Sequence, residues 1–161
     1  MLSIFGFSLI TVLCYLLLSS CCVRYEMIEH SYRDILILLN VMKEKISAHS
    51  MPLSAIMNLS IDLPYLSEIG FIESVREEGF LNALESNRDK MIVDEQDYEL
   101  LLNFFRSFGL STRSHELENL CSTIKELERK YEQTKSLTSQ RKKVSGTLIV
   151  CSYLILIIFL I

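Results

Sequence analysis

The densest run of side chains able to handle protons or cations is Asp94, Glu95, Asp97 and Glu99. Paired carboxylates can act as general acid and base, or hold Mg²⁺, only if further groups converge on them from other segments. The same four residues can form an acidic face for a partner. They can also open a helix, where each negative charge offsets the positive end of the dipole by about 0.3–1 kcal/mol. The helix start needs the fewest assumptions. His30, His49 and His115 lie far apart, and none has a second His or Cys four residues on, so solvated side chains account for them. The five glycines, at positions 6, 70, 79, 109 and 146, build no phosphate-cradling loop. Cys14, Cys21, Cys22 and Cys151 sit in uncharged ends and Cys121 alone in the charged middle, without metal spacing or an intradomain disulfide. No catalytic, cofactor or metal residue is assigned, and the expectation is a protein that is not an enzyme. A net charge of −4 without a basic stripe gives no reason to expect nucleic acid.

The elements around these residues divide the 161-residue chain in three. Every Lys, Arg, Asp and Glu falls between Arg24 and Lys143. Residues 1–23 hold 17 apolar side chains and residues 144–161 hold 14, with no charge in either segment. At about 1.5 Å of helix per residue, the first can cross a hydrocarbon core of roughly 30 Å. The second reaches about 27 Å and is a minimal span, helped by snorkelling of Lys142 and Lys143. Two membrane helices, 1–23 and 144–161, are therefore expected to flank a domain at 24–143. Arg141, Lys142 and Lys143 abut the second span and Arg24 follows the first, so the positive-inside rule places 24–143 in the cytoplasm. A rival reading takes Leu18-Ser19-Ser20-Cys21 as a lipoprotein processing box, with Cys21 acylated and the middle outside as an extracytoplasmic adaptor or binding protein. The absence of Lys and Arg from Met1 to Phe7 opposes it, as does the position of the 141–143 cluster.

The middle carries helical periodicity throughout, so the fold class is all-α: a bundle of about six helices between two membrane helices. Tyr32, Ile35, Leu36, Leu39, Met42 and Ile46 form the stripe of the first helix, which ends in Ser47 to Ser50. Pro52 suits the first turn of a second helix over Leu53 to Ile61, and Pro64 the first turn of a third over Tyr65 to Glu78, weakened at Gly70. A fourth runs from Phe80 to Glu85 and stops at Ser86-Asn87. A fifth begins at Asp94, buries Tyr98, Leu101, Leu102, Phe105 and Phe108, and stops at Gly109. Ser111 or Thr112 can cap the sixth. Its stripe of Leu117, Leu120, Ile124, Leu127 and Tyr131 has heptad spacing, suited to an intramolecular core or to contact with another subunit. Thr134 to Lys143 reads as an exposed helical stalk.

The order of these elements resembles the stage III sporulation protein AB family. The family's "PL" turn is matched by Pro52-Leu53-Ser54-Ala55. Its Trp-x-x-Ala-Leu segment is matched by Phe80-Leu81-Asn82-Ala83-Leu84, with Phe for Trp. Its stretch Phe-Gly-x-x-Leu-Gly-x-Ser-Asp-x-x-x-Gln aligns with Phe104 to Glu116, so that Gly109 and Ser111 match while Phe105 replaces a Gly, Thr112 an Asp and Glu116 a Gln. A Leu-Gly at the second span corresponds to Ser145-Gly146. The family is similar to the cytoplasmic six-helix domains of type II secretion and type IV pilus platform proteins. The resemblance implies a membrane component of a channel-like assembly between mother cell and forespore, in the mother-cell membrane around the forespore. It further implies contact with a cytoplasmic ATPase and with other sporulation channel membrane proteins, and self-association is possible within such an assembly.

Overall fold

The computed structural model describes the backbone of residues 2–48 and 63–160. Within those ranges it describes the side chains of all but 2–19, 21, 22, 148–150 and 152–160. The described residues form helices and connecting turns, without strands: α1 Leu2–Ala48, α2 Pro64–Glu68, α3 Phe71–Glu78, α4 Phe80–Ser86, α5 Glu95–Ser107 and α6 Arg113–Leu160. The chain divides into two compact units, one of residues 27–132 and one of residues 1–26 with 133–161. The expected helix over Leu53 to Ile61, with Pro52, Leu53 and Ala55, lies outside the described residues.

In the unit 27–132 the expected stripes face one apolar core. Tyr32, Ile35, Leu36, Leu39, Met42 and Ile46 of α1 are all buried. So are Tyr98, Leu101, Leu102 and Phe105 of α5, and Leu120, Ile124 and Leu127 of α6. Leu117, Tyr131 and Phe108 are half-buried against the same core. The heptad spacing of α6 thus serves the interior of this chain. A water-sized void of about 10 Å³ lies among Leu39, Leu66, Phe71 and Leu101 within this core.

One expected helix is two. Tyr65 to Glu78 breaks at Gly70, which takes a left-handed φ of 78° between α2 and α3. Glycine reaches that conformation without the Cβ clash other residues meet, so it ends a helix rather than merely weakening one. Gly79 joins α3 to α4 at φ 85°, ψ 168°, a region essentially reserved for glycine. α2 packs on α3, α3 on α4 and α4 on α5. Tyr65 fastens the turn after α4, donating to the Lys90 carbonyl at 2.8 Å and accepting from the Ile92 N–H at 3.1 Å.

The stop at Ser86-Asn87 is real, and within it Ser86 is exposed while Asn87 is buried. Asn87 is 2% exposed, and its amide donates to the Ala83 carbonyl and to Ser74 Oγ, both at 3.0 Å. These bonds close the end of α4 onto α3.

In the other unit, Arg141 lies over the Tyr25 ring at 4.0 Å and Lys142 pairs with Glu26 at 2.9 Å. The expected exposed stalk has one buried exception, Thr138, which donates to the Thr134 carbonyl at 2.9 Å. Among the described residues, no helix is long and apolar enough to cross a membrane. The side chains of the expected spans, 1–23 and 144–161, fall largely outside those residues.

Candidate functional site

The acidic run 94–99 divides as the helix it opens turns past the core. Asp94, Glu95 and Glu99 are exposed, whereas Asp97 is 2% exposed. Asp97 therefore leaves the expected acidic face. At position i+3 from the N-cap it points inward, where Tyr32 of α1 donates to its carboxylate at 2.5 Å. Tyr32 Oη in turn accepts from the Asp94 N–H at 3.4 Å. Lys130 of α6 stands 3.7 Å from Asp97 and 3.6 Å from Asp94. One phenol, one buried carboxylate and one ammonium thus join α1, α5 and α6.

Burial, and next the hydrogen bond to Asp97, push the Tyr32 pKa upward, far above the ordinary tyrosine value. The phenol therefore keeps its proton and acts as a donor, not as a nucleophile or base. Its proton satisfies a carboxylate that would otherwise be costly to bury. Tyr98 is also raised by burial, opposed by the Arg88 guanidinium 5.1 Å from its ring centre. Its hydroxyl donates to the Leu84 carbonyl at 3.3 Å. On the surface, Glu95 pairs with Arg88 and Glu85 with Arg106 at 3.3 Å. Asp94 carries no side-chain cap bond to its own helix.

Two more polar anchors escaped the sequence reading. Asp34, fully buried on α1, accepts from the Tyr65 N–H at 2.8 Å and the Leu66 N–H at 3.4 Å. It caps α2 from 31 residues away, where the local N-cap residue, Leu63, has no side-chain acceptor. Arg113, in the first turn of α6, donates to the carbonyls of Ile46 and Ser47 at 2.5 and 2.6 Å, satisfying the last turn of α1.

The motif residues have defined places. Phe80, Ala83, Leu84 and Phe104 are buried. Gly109 turns the chain between α5 and α6 with φ 86°, and its N–H donates to Glu116 at 2.7 Å. Ser111 is exposed, and Thr112 occupies the N-cap position, its carbonyl accepting from the Glu116 N–H at 2.9 Å. Gly146 is exposed within α6, with open space where a Cβ would stand. Phe80 and Phe105 stack at 5.1 Å with 12° between their planes.

The family model for stage III sporulation protein AB matches residues 73–161, more than half of the chain. The chain belongs to that family. It is thereby a sporulation-associated protein. Comparison with curated proteins and with solved structures gives no match. The family match begins inside α3 and takes in Phe80 to Leu84, the α5–α6 turn and Gly146, whereas Pro52 to Ala55 lie before it. Against the family pattern that the sequence resembles, Phe80 stands for Trp and Phe105 for Gly.

Among the described residues, no group of three or more His, Cys, Asp or Glu could hold a metal ion. His30 and His115 are exposed, with His115 4.0 Å from Glu118, and His49 lies outside the described residues. Cys121 and Cys151 are exposed thiols, while the side chain of Cys21 lies outside the described residues. Arg141, Lys142 and Lys143 are all exposed.

Proposed function

We infer that this protein is a non-enzymatic platform in a sporulation channel or secretion-like complex between mother cell and forespore. Helices at 1–23 and 144–161 anchor it in the membrane, and residues 24–143 face the cytoplasm and dock the hexameric ATPase of the same assembly. The observation that carries this reading is membership of the stage III sporulation protein AB family. The confinement of every charged residue to 24–143 supports the anchoring. The Arg141-Lys142-Lys143 cluster supports the orientation.

An assembly that moves material needs an energy source, and in this chain Asp97 and the buried aromatics hold helices together. The energy then comes from a partner. Asp94, Glu95 and Glu99 remain at the surface as contact candidates, whereas Asp97 is withdrawn from it. Exposed charges of this kind govern association rate and salt dependence more than final affinity. The test is co-purification of the full-length protein, in detergent or in membranes, with the assembly's ATPase at low and at high salt. Retention that weakens with salt is expected, with faster loss in Asp94→Asn/Glu95→Gln/Glu99→Gln. Absence of binding in both preparations, or nucleotide hydrolysis by this chain alone, would refute the reading.

A further inference from the structure

Around residues 23–26 and 141–144, the unit formed by 1–26 and 133–161 has a distinctive surface. Arg24, Arg141, Lys142 and Lys143 are exposed there, and the local anion is Glu26, which pairs with Lys142 at 2.9 Å. Four cations against one anion leave +3 at this level of a chain whose net charge is −4. The Arg141 guanidinium rests on the Tyr25 ring at 4.0 Å, a contact that orients the group and brings no countercharge of its own. Directly beside the cations, Val23 and Val144 are 51% and 57% exposed. Beyond both valines the sequence carries no charge to either end.

Water is a poor match for exposed valines, and a protein acid patch would meet the cations but not the apolar side chains next to them. A surface that presents phosphate beside hydrocarbon meets both at once. We propose that this collar is a binding site for anionic phospholipid headgroups, with Arg24, Arg141 and Lys143 as the phosphate-binding cations and Tyr25 as the ring that positions Arg141. Lys142, already paired with Glu26, contributes to holding α1 beside α6 within this unit. The proposal rests on the two-span reading and adds to it a lipid class and the residues that select it.

The test uses the full-length protein in neutral detergent micelles. Short-chain phosphatidylglycerol or phosphatidylcholine is added, and retained lipid is counted by native mass spectrometry. Phosphatidylglycerol should be retained in preference to phosphatidylcholine. Each cation removed should lower that preference about fivefold, so Arg24→Gln/Arg141→Gln/Lys143→Gln should lower it on the order of a hundredfold. Arg76→Gln/Lys125→Gln, which removes two exposed cations elsewhere, should leave it unchanged. Arg24→Lys/Arg141→Lys, which keeps the charge, should retain it and guards against a folding defect. Equal retention of both lipids, loss of the preference in the Arg76/Lys125 variant, or complete displacement of lipid by inorganic phosphate would overturn the proposal. Alkaline carbonate extraction of membranes separates the two ideas. A chain that washes out contradicts the two spans, whereas a chain that stays but shows no preference between the lipids contradicts the collar alone.

Discussion

Residues 27–132 and the pair of segments 1–26 and 133–161 use their side chains in opposite ways. In the first unit, leucines and aromatics from every described helix are withdrawn from water, and even Asp34, Asp97 and Asn87 are buried with hydrogen-bond partners. In the second, the described side chains are mostly exposed: cations, Val23, Val144 and Leu137 stand at the surface. The contrast assigns different physics to each. Stability of the first comes from burial and from polar groups that fix helix ends, while charge placed at an apolar boundary defines the second.

The comparison breaks most easily at two leucines. Leu120→Ala, at a fully buried position, should cost about 2–5 kcal/mol of unfolding free energy. Leu137→Ala, at a position 47% exposed, should change it by no more than about 0.5 kcal/mol. Chemical denaturation of the full-length protein in micelles, followed by circular dichroism, reads both. Similar costs at the two sites would mean that α6 is buried alike in both units.

Next in size is the buried cap. Asp34→Ala removes the acceptor of the Tyr65 and Leu66 N–H groups and should cost about 1–3 kcal/mol. Asp34→Asn keeps an acceptor oxygen and should cost less. If the alanine and asparagine variants melt together, the carboxylate charge rather than the cap geometry is what counts.

The Phe80–Phe105 stack sharpens the account of the core. Phe80→Trp should overpack, Phe105→Gly should leave a cavity, and the double variant should recover part of both costs. A coupling of about 0.5–3 kcal/mol is expected from the thermodynamic cycle. Additivity would mean that the two stacked rings do not couple across the contact of α4 with α5.

A further effect is set by pH and appears only in alkali. Tyr32 holds its proton in the folded state well above the value at which an unfolded tyrosine loses it. The stabilising contribution is therefore complete below about pH 10 and declines as pH rises beyond it, by up to about 1.4 kcal/mol per unit. Tyr98 adds a share in the same direction. Alkaline unfolding should be shallower in Tyr32→Phe. An unchanged slope would mean that the phenol titrates no differently in the two states.

What could be read from the sequence follows from range. Apolar spacing of three and four residues is a local signal, and the stripes of α1, α5 and α6 were legible because burial repeats with the helix. Gly70 was visible as a weakness but not as a break, since a positive φ depends on how α2 and α3 pack. The polar anchors were hidden because their partners lie 31 to 67 residues away and leave no period. Asp34 did leave a trace: it is an acid set between Tyr32, Ile35 and Leu38 on a mostly apolar face that also buries Ser31. Asp97 left none, since three of its neighbours in the acidic run stay exposed and the four looked alike.

The central claim, that 24–143 is the cytoplasmic part of a protein with two spans, is tested most directly by topology. The turn carrying Leu110, 83% exposed, accepts an insertion far better than Asn87, which is buried. A reporter active only in the cytoplasm should work when inserted after Leu110 and fail when fused after Ile161. Activity at Ile161 with silence at Leu110 would contradict the account.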